Sequence, residues 1–296
     1  MKQFLLKLFN KYAYIRNHFI NPKRVIKKIF YLRTGYYPNL DNPKTFNEKM
    51  QWMKLNYHDP LHTQLVDKAA VKEYVSSIIG EEYVIPTLGV WKRFNDIDFD
   101  SLPNQFVLKC THDSGGLVIC RDKNKLDISA AKKKINKCLG INYYYLGFEW
   151  PYKNVEPQIL AEEYKGELSS GTVLDYKFFV FNGVPRILKI ASNRNIETGH
   201  VDMDFYDMNF NHLPFKRGHD NSSIKLEKPT NFELMKELAQ KLAKGLPFVR
   251  VDFYEIGNKV YFGELTFYPC GGWNAFDPRE WDEKLGDMLE LPKKNK

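Results

Sequence analysis

Val249-Arg250-Val251-Asp252-Phe253-Tyr254 and Val260-Tyr261-Phe262-Gly263-Glu264-Leu265-Thr266 flank Gly257-Asn258, and each run carries one acid inside an apolar, aromatic strand pattern. With a three-residue turn, Gly257-Asn258-Lys259, Ile256 faces Val260 and Asp252 sits opposite Glu264. Like charges directly opposite on one sheet face are destabilising, and burying either acid alone costs more. A divalent cation removes both penalties, because Mg²⁺ takes hard oxygen ligands while it is also held by phosphates. A two-residue turn leads elsewhere: the acids then fall on opposite faces, each solvated.

The 296 residues are enough for a large core and for two or three lobes, and an apolar content of 43% fits a folded globular chain. Cys110, Cys120, Cys138 and Cys270 show no metal-binding spacing, so reduced thiols in a cytoplasmic setting are expected. No apolar run reaches membrane-spanning length. Lys7, Lys11 and Arg16 break the N-terminal apolar stretch, and no small-residue cleavage site follows, which argues against a secretory signal.

The net charge of +8 is concentrated at one end. Residues 1–40 contain nine Lys and Arg and no acid, leaving a net −1 over the other 256. A nucleic-acid domain spreads its basic residues over a binding face, so no nucleic-acid partner is expected. Phe4, Leu5, Leu8, Phe9, Ile15, Phe19, Ile26 and Phe30 interleave with the basic residues. That pattern suits either peripheral contact of residues 1–33 with an anionic membrane at its inner face or packing on the protein's own body.

Along the chain, Asn21-Pro22 separates two short basic helices, and Gly35 ends the second. Thr45 and Glu48 form a capping-box pattern ahead of a helix running to Lys54. Asp67 to Ser77 reads as a helix. Strands are predicted at 83–86, 106–110, 117–120 and 159–164, with a helix from Ile128 to Cys138 between the last two. Asp175–Phe181 and Arg186–Ala191 flank Asn182-Gly183, a strong hairpin signal. A helix from Phe232 to Lys244 precedes the final hairpin. Hairpins broken by single helices indicate an α+β fold.

Thr111-His112-Asp113-Ser114-Gly115-Gly116 joins two apolar strands, with Lys109 at its entry. Small residues let backbone N–H groups approach phosphate, and lysine adds a point charge; a plain hairpin turn is the alternative. Lys68 follows Asp67 at the helix start, where anions are favoured. Glu162 and Glu163 precede Tyr164 at a strand end, either as a solvated linker or meeting an adenine edge.

Taken in order, Asp67-Lys68, Phe106-Val107-Leu108-Lys109 with its glycine loop, Ala161-Glu162-Glu163-Tyr164, Arg250-x-Asp252 and Glu264-x-Thr266 resemble the ATP-grasp superfamily over residues 67–272. Asn42-Pro43-Lys44-Thr45-Phe46-Asn47-Glu48-Lys49, Asp175-Tyr176-Lys177-Phe178-Phe179 and the ending Leu285-Gly286-x-x-Leu289-x-Leu291-Pro292 look like the TupA-like branch, which is associated with bacterial surface polysaccharides. The resemblance implies an ATP-grasp fold: a helical region 1–66, then two α+β lobes, 67–160 and 161–296, clasping ATP.

It further implies that Lys68 and Lys109 hold the α- and β-phosphates and that Ser114, Gly115 and Gly116 close over the nucleotide. Glu162, Glu163 and Tyr164 would form the adenine hinge, and Asp175, with Glu167 as rival, would meet the ribose. Arg250 would steady the γ-phosphate or an acyl-phosphate. Asp252 and Glu264 would hold Mg²⁺, with Thr266 where the family pattern has Asn. Lys177, Lys189 and Arg194 would receive an anionic substrate, with Lys189 by default a surface charge. The implied activity is an ADP-forming carboxylate–amine ligase joining a small acid or amine to a saccharide or lipid-linked saccharide acceptor. A sugar kinase is one alternative. A glycosyltransferase using Asp202-Met203-Asp204 is another, against which those acids are solvated residues of an ordinary strand. A non-catalytic nucleotide-binding protein is a further alternative, motivated by Thr266.

Overall fold

The computed structural model describes residues 13–166, 174–193, 198 and 200–295. Residues 1–12, Glu167 and Arg194 therefore lie outside the described residues, as does the first part of the basic segment.

Two antiparallel sheets dominate. The first has the order β1-β4-β2-β3, from Thr87–Trp91 (β1), Phe106–Cys110 (β2), Leu117–Cys120 (β3) and Ile159–Glu163 (β4). Phe106, Leu108 and Cys110 alternate inward to a core with Ala131 and Ile135 of the Ile128–Leu139 helix. Alternation turns Val107 and Lys109 to the other face. The boundary expected at 160/161 falls inside β4.

The second sheet has the order β10-β9-β5-β6-β7, from Asp175–Phe181 (β5), Val184–Ser192 (β6), Asp202–Tyr206 (β7), Phe248–Ile256 (β9) and Lys259–Thr266 (β10). The short strand Lys216–Arg217 (β8) pairs instead with Phe276–Asp277 (β11). One face of the large sheet carries Tyr176, Phe178, Ile190, Leu188, Val251 and Phe253, all buried. The Phe232–Leu242 helix covers that face, with Phe232 6.0 Å from Phe178 between ring centroids. The other face grades from Asp175 and Lys177 to Phe179 and Phe181 along β5. Its aromatic end is closed by Phe46, whose ring centroid lies 5.0 Å from that of Phe248.

Local signals explain much of this. Thr45 and Glu48 form the expected capping box, and the helix runs Phe46–Asn56. Asn182 and Gly183 both have positive φ, which suits the primed turn between β5 and β6. Two expectations need correction. The helix expected over Asp67–Ser77 starts only at Val71 and runs to Ile79, after a separate helix over Pro60–Val66, because the Asp67 carboxylate accepts from the Ala69 and Ala70 amides and caps the turn between them. The strand expected at 83–86 begins only at Thr87; a short 3₁₀ turn occupies Glu81–Tyr83 ahead of Pro86.

The Pro22–Thr34 helix buries Val25, Ile26, Ile29 and Phe30 against Leu40, Phe148 and Trp273, so this part of the basic segment packs on the protein body. Ile15 and Phe19 remain exposed. Among the described residues no helix is long and apolar enough to cross a membrane. All four cysteines are free thiols, as expected.

Candidate functional site

The final hairpin reaches the geometry expected of it by an unexpected route. Its turn has two residues, Gly257 and Asn258, both at positive φ, so Ile256 faces Lys259 rather than Val260. That register alone would put the acids on opposite faces. A bulge between Phe262 and Glu264 inserts Gly263 as an extra residue, and beyond it Glu264 faces Asp252 and Thr266 faces Arg250. Glycine suits the bulge because a Cβ there would sit 3.1 Å from both the Asp252 carbonyl oxygen and the Tyr254 ring.

Register then carries one charged row across four strands: Glu264 on β10, Asp252 on β9, Lys177 on β5 and Lys189 on β6. Lys177 Nζ lies 2.6 Å from Asp252 Oδ2 and 3.5 Å from Asp175 Oδ2. In the next row the Arg250 guanidinium donates to both Asp252 oxygens at 2.6 Å and to Glu264 Oε1 at 2.5 Å. Thr266 Oγ1 donates to the same Glu264 oxygen at 3.0 Å. Burial pushes the Glu264 carboxyl up, but Arg250, Lys177 and Lys68 more than offset this and hold it down at about 2. Burial would lower Arg250, and Asp252 and Glu264 reverse that to raise it.

Across a cleft of about 260 Å³ stands the first sheet. Lys109 and Glu162 are diagonal neighbours on its cleft face, and their side chains form an ion pair. Lys72, on the Val71–Ile79 helix, pairs with the other Glu162 oxygen at 2.6 Å and donates to the Ile85 carbonyl at 2.6 Å. Burial pushes the Glu162 carboxyl up, and the two lysines outweigh it. Lys68, in the turn before that helix, donates its ammonium to the Asp113 carbonyl, and burial lowers it. Lys68, Lys109, Ser114, Gly116, Glu162, Asp175, Lys177, Asp252 and Glu264 all line this cleft.

Other expected residues stand differently. Glu163 projects to the opposite face from Glu162 and pairs with Lys165 at 2.5 Å. The Tyr164 hydroxyl accepts from Arg121 at 3.1 Å. In the glycine loop the Gly116 amide already donates to Asp113, and a Cβ at Gly116 would lie 2.4 Å from Cys110 Sγ, so this glycine shapes the turn. Ser114 and Gly115 are exposed at its tip, where Ser114 Oγ lies 2.9 Å from the Tyr143 hydroxyl.

Lys189 is not a surface charge: it is buried, and desolvation brings it down to about 7, with Arg250, Lys177 and Arg217 adding to the effect. Asp202 and Asp204 are also buried rather than solvated. They hydrogen-bond Asn193, His200, His212 and the Ser222 amide. Asp204 faces Ile190, on the helix-covered side of the sheet, away from the cleft. Lys72 is a cleft residue that sequence reading missed; its only signal was its place one helical turn after Lys68.

Two opposed carboxylates and a hydroxyl on one face suit a hard cation that completes its shell with phosphate and water. Among the described residues no cluster of three or more His, Cys, Asp or Glu forms a cage for a metal.

The sequence model described as TupA-like ATPgrasp matches residues 48–290. The chain belongs to this family. The TupA-like assignment carries with it the ATP-grasp fold, and the two sheets facing one cleft are its form here. No curated protein matches the chain. Similar solved structures include a D-alanine–D-alanine ligase from Bacillus anthracis complexed with ATP, 17% identical, TM-score 0.45, covering 83% of this TupA-like chain and 72% of that one. The ATP-grasp ligase PsnB with its minimal precursor is 12% identical, TM-score 0.44, over 79% of this chain and 62% of that one. D-cycloserine synthetase DcsG is 14% identical, TM-score 0.42, over 78% and 72%. The TupA-like chain thus spans less than two thirds of PsnB.

Proposed function

We propose that this protein is a Mg-ATP-dependent, ADP-forming carboxylate–amine ligase acting in bacterial cell-surface polysaccharide assembly. What supports the chemistry is one juxtaposition: Lys68, Lys72 and Lys109 on one wall of the cleft, the Asp252–Glu264 pair on the other. In this reading Lys68 and Lys109 bind the α- and β-phosphates, and the loop tip at Ser114 and Gly115 covers them. The chain at Glu162, Glu163 and Tyr164 lies against the adenine edge through its backbone, since the Glu162 carboxylate serves the lysines. Asp175 meets the ribose. The lobes are 67–160 and 161–296, with β4 crossing the join.

Asp252 and Glu264, with Thr266, are the residues that fit Mg²⁺, which when bound would neutralise phosphate charge. A substrate carboxylate attacks the γ-phosphorus and ADP leaves. Arg250 and Lys177 stabilise the charge on the transferring group. An amine then attacks the acyl carbon and inorganic phosphate departs, which requires a cleft that excludes water. The acceptor is a saccharide or lipid-linked saccharide. Exposed Ile15 and Phe19 beside a basic N-terminus support a site at the inner face of the membrane.

The test is purified protein with Mg-ATP and candidate amino acids, following ADP against AMP and trapping the acyl-phosphate with hydroxylamine. ADP with a hydroxamate product is expected. A stable phosphoester instead would make it a kinase, and AMP release would sink the ligase reading. Lys109→Ala and Asp252→Asn should each abolish turnover while the protein stays folded; full activity in both would remove these site assignments.

A further inference from the structure

We propose that Lys189 and Arg217, with the Pro269–Gly272 turn beside them, form an anion-binding corner that takes a carboxylate or phosphate group of the second substrate. The charged row across the large sheet is satisfied at three of its four positions. Glu264 and Asp252 are bridged by Arg250, and Lys177 is paired with Asp252. Lys189, the last in the row, is only 6% exposed, and no carboxylate among the described residues forms an ion pair with its ammonium. A buried cation without a partner is costly.

Arg217 repeats the pattern from β8. It is 3% exposed, its terminal nitrogen donates to two neutral acceptors, Asn47 Oδ1 at 3.3 Å and the Pro269 carbonyl at 3.2 Å, and among the described residues its Nε has no hydrogen-bond partner. The acid that acts on Arg217 from that side, Asp282, is engaged by the Asn47 amide at 2.8 Å and its side chain at 3.0 Å. Lys189 faces Phe205 on β7, whose ring stacks on Phe215 at 4.2 Å, and the Arg217 guanidinium lies 4.9 Å over Phe276, itself 5.6 Å from Phe215, so two buried cations with donors to spare meet around one aromatic cluster.

Both cations act electrostatically on Cys270, which is exposed and so opens the corner to solvent. Burial would raise this thiol, and Arg217, Lys189 and Arg250 together lower it. The turn that carries it is rigidly held. Cys270, Gly271 and Gly272 all have positive φ. Gln51 donates to the Gly271 and Gly272 carbonyls at 3.1 and 2.8 Å, and Lys54 donates to Gly271 at 2.7 Å. A Cβ at Gly272 would lie 2.6 Å from Gln51 Nε2. Asn47, Gln51 and Lys54 share the Phe46–Asn56 helix, so the capped helix near the N-terminus organises this corner.

The corner lies at the end of the row opposite Glu264 and the phosphate-side lysines. That its occupant is a substrate rests on the ligase reading; that it binds an anion does not. A ligand there would present an acid group to Lys189 and Arg217 while its reacting group reached Arg250.

The test needs no nucleotide. The full-length protein is alkylated with iodoacetate or with neutral iodoacetamide, and the modification of each cysteine is followed by peptide mass spectrometry. Cys270 should favour the anionic reagent about tenfold over the half-buried Cys138. Lys189→Met and Arg217→Gln should each remove most of that preference. Lys189→Met keeps the test open if loss of Arg217 prevents folding. Inorganic phosphate or acetate should protect Cys270, and whichever protects at lower concentration identifies the acid group. Equal reagent preference at the two cysteines, a preference unchanged in Lys189→Met, or no protection by either anion would overturn the proposal. ATP turnover measured on the same preparation reports separately on the ligase reading.

Discussion

Asp252 faces Glu264 because Gly263 is an extra residue in β10; without the bulge a two-residue turn would hold the two acids on opposite faces of the sheet. The site therefore depends on a residue with no side chain. Gly263→Val would push a branched Cβ against the Asp252 carbonyl and the Tyr254 ring, each 3.1 Å from the Cβ position. Overpacking of this kind costs about 1–3 kcal/mol. Reduced thermal stability together with weakened Mg-ATP binding is expected, measured by calorimetry. A variant that binds Mg-ATP as the parent does would show that the bulge does not set the acid pair.

Arg250 now neutralises both acids. Arg250→Met takes the guanidinium from both acids and leaves Lys177 paired with Asp252; with the Glu264 side chain partly exposed, the loss stays below the about 3–5 kcal/mol of a fully buried pair. Added Mg²⁺ should restore more stability to the variant than it gives the parent, because it would then take the place the guanidinium holds between Asp252 and Glu264. Urea denaturation with and without Mg²⁺ measures the difference. Equal gains in the two proteins would separate these acids from metal binding.

Lys72 and Lys109 share Glu162 as counterion. Lys72→Met should weaken ATP binding about tenfold, or about 1.4 kcal/mol, for the loss of one phosphate-facing charge. Titration calorimetry would show it, with a larger loss for Lys109→Met. An unchanged dissociation constant for Lys72→Met would make Lys72 a purely structural partner of Glu162.

What could be read from the chain, and what could not, follows from how side chains signal their surroundings. Asp252 and Glu264 were legible because an acid within an apolar strand needs a reason to be there. Their facing arrangement was legible, but its cause was not: a glycine in a strand marks a bulge or a close approach without saying which, and a three-residue turn gives the same pairing with no bulge. Lys72 was hidden because helix-surface lysines are common, and Lys189 because lysine is almost never buried without a partner. Glu163 follows Glu162 in sequence, yet strand alternation sends adjacent side chains to opposite faces, and Tyr164 lies just past the end of β4. Asp202 and Asp204 look like solvated strand residues because their partners, Asn193, His200, His212 and the Ser222 amide, lie mostly in flanking segments whose return over the strand no periodic pattern marks.

Lys189 gives the last prediction its sign. Its ammonium is brought down to about 7 by burial, far below the 10.5 of an exposed lysine. The unfolded chain therefore binds this proton more readily than the folded one, and stability contributed by the neutral form is lost as pH falls from above 10 towards 7. At neutral pH the residue costs the fold a few kcal/mol, at most about 5. Lys189→Met keeps the length of the side chain and removes the charge. The variant should be more stable than the parent at pH 7 by about 2–4 kcal/mol, with the gap narrowing as pH rises towards 10. Turnover should fall in the same variant, the signature of a charge kept for a ligand rather than for the fold. Urea unfolding at pH 7 and 10 alongside the ligase assay decides it: a less stable Lys189→Met protein would mean that the ammonium is paired in solution, and unchanged turnover would leave the buried charge without a role in the reaction.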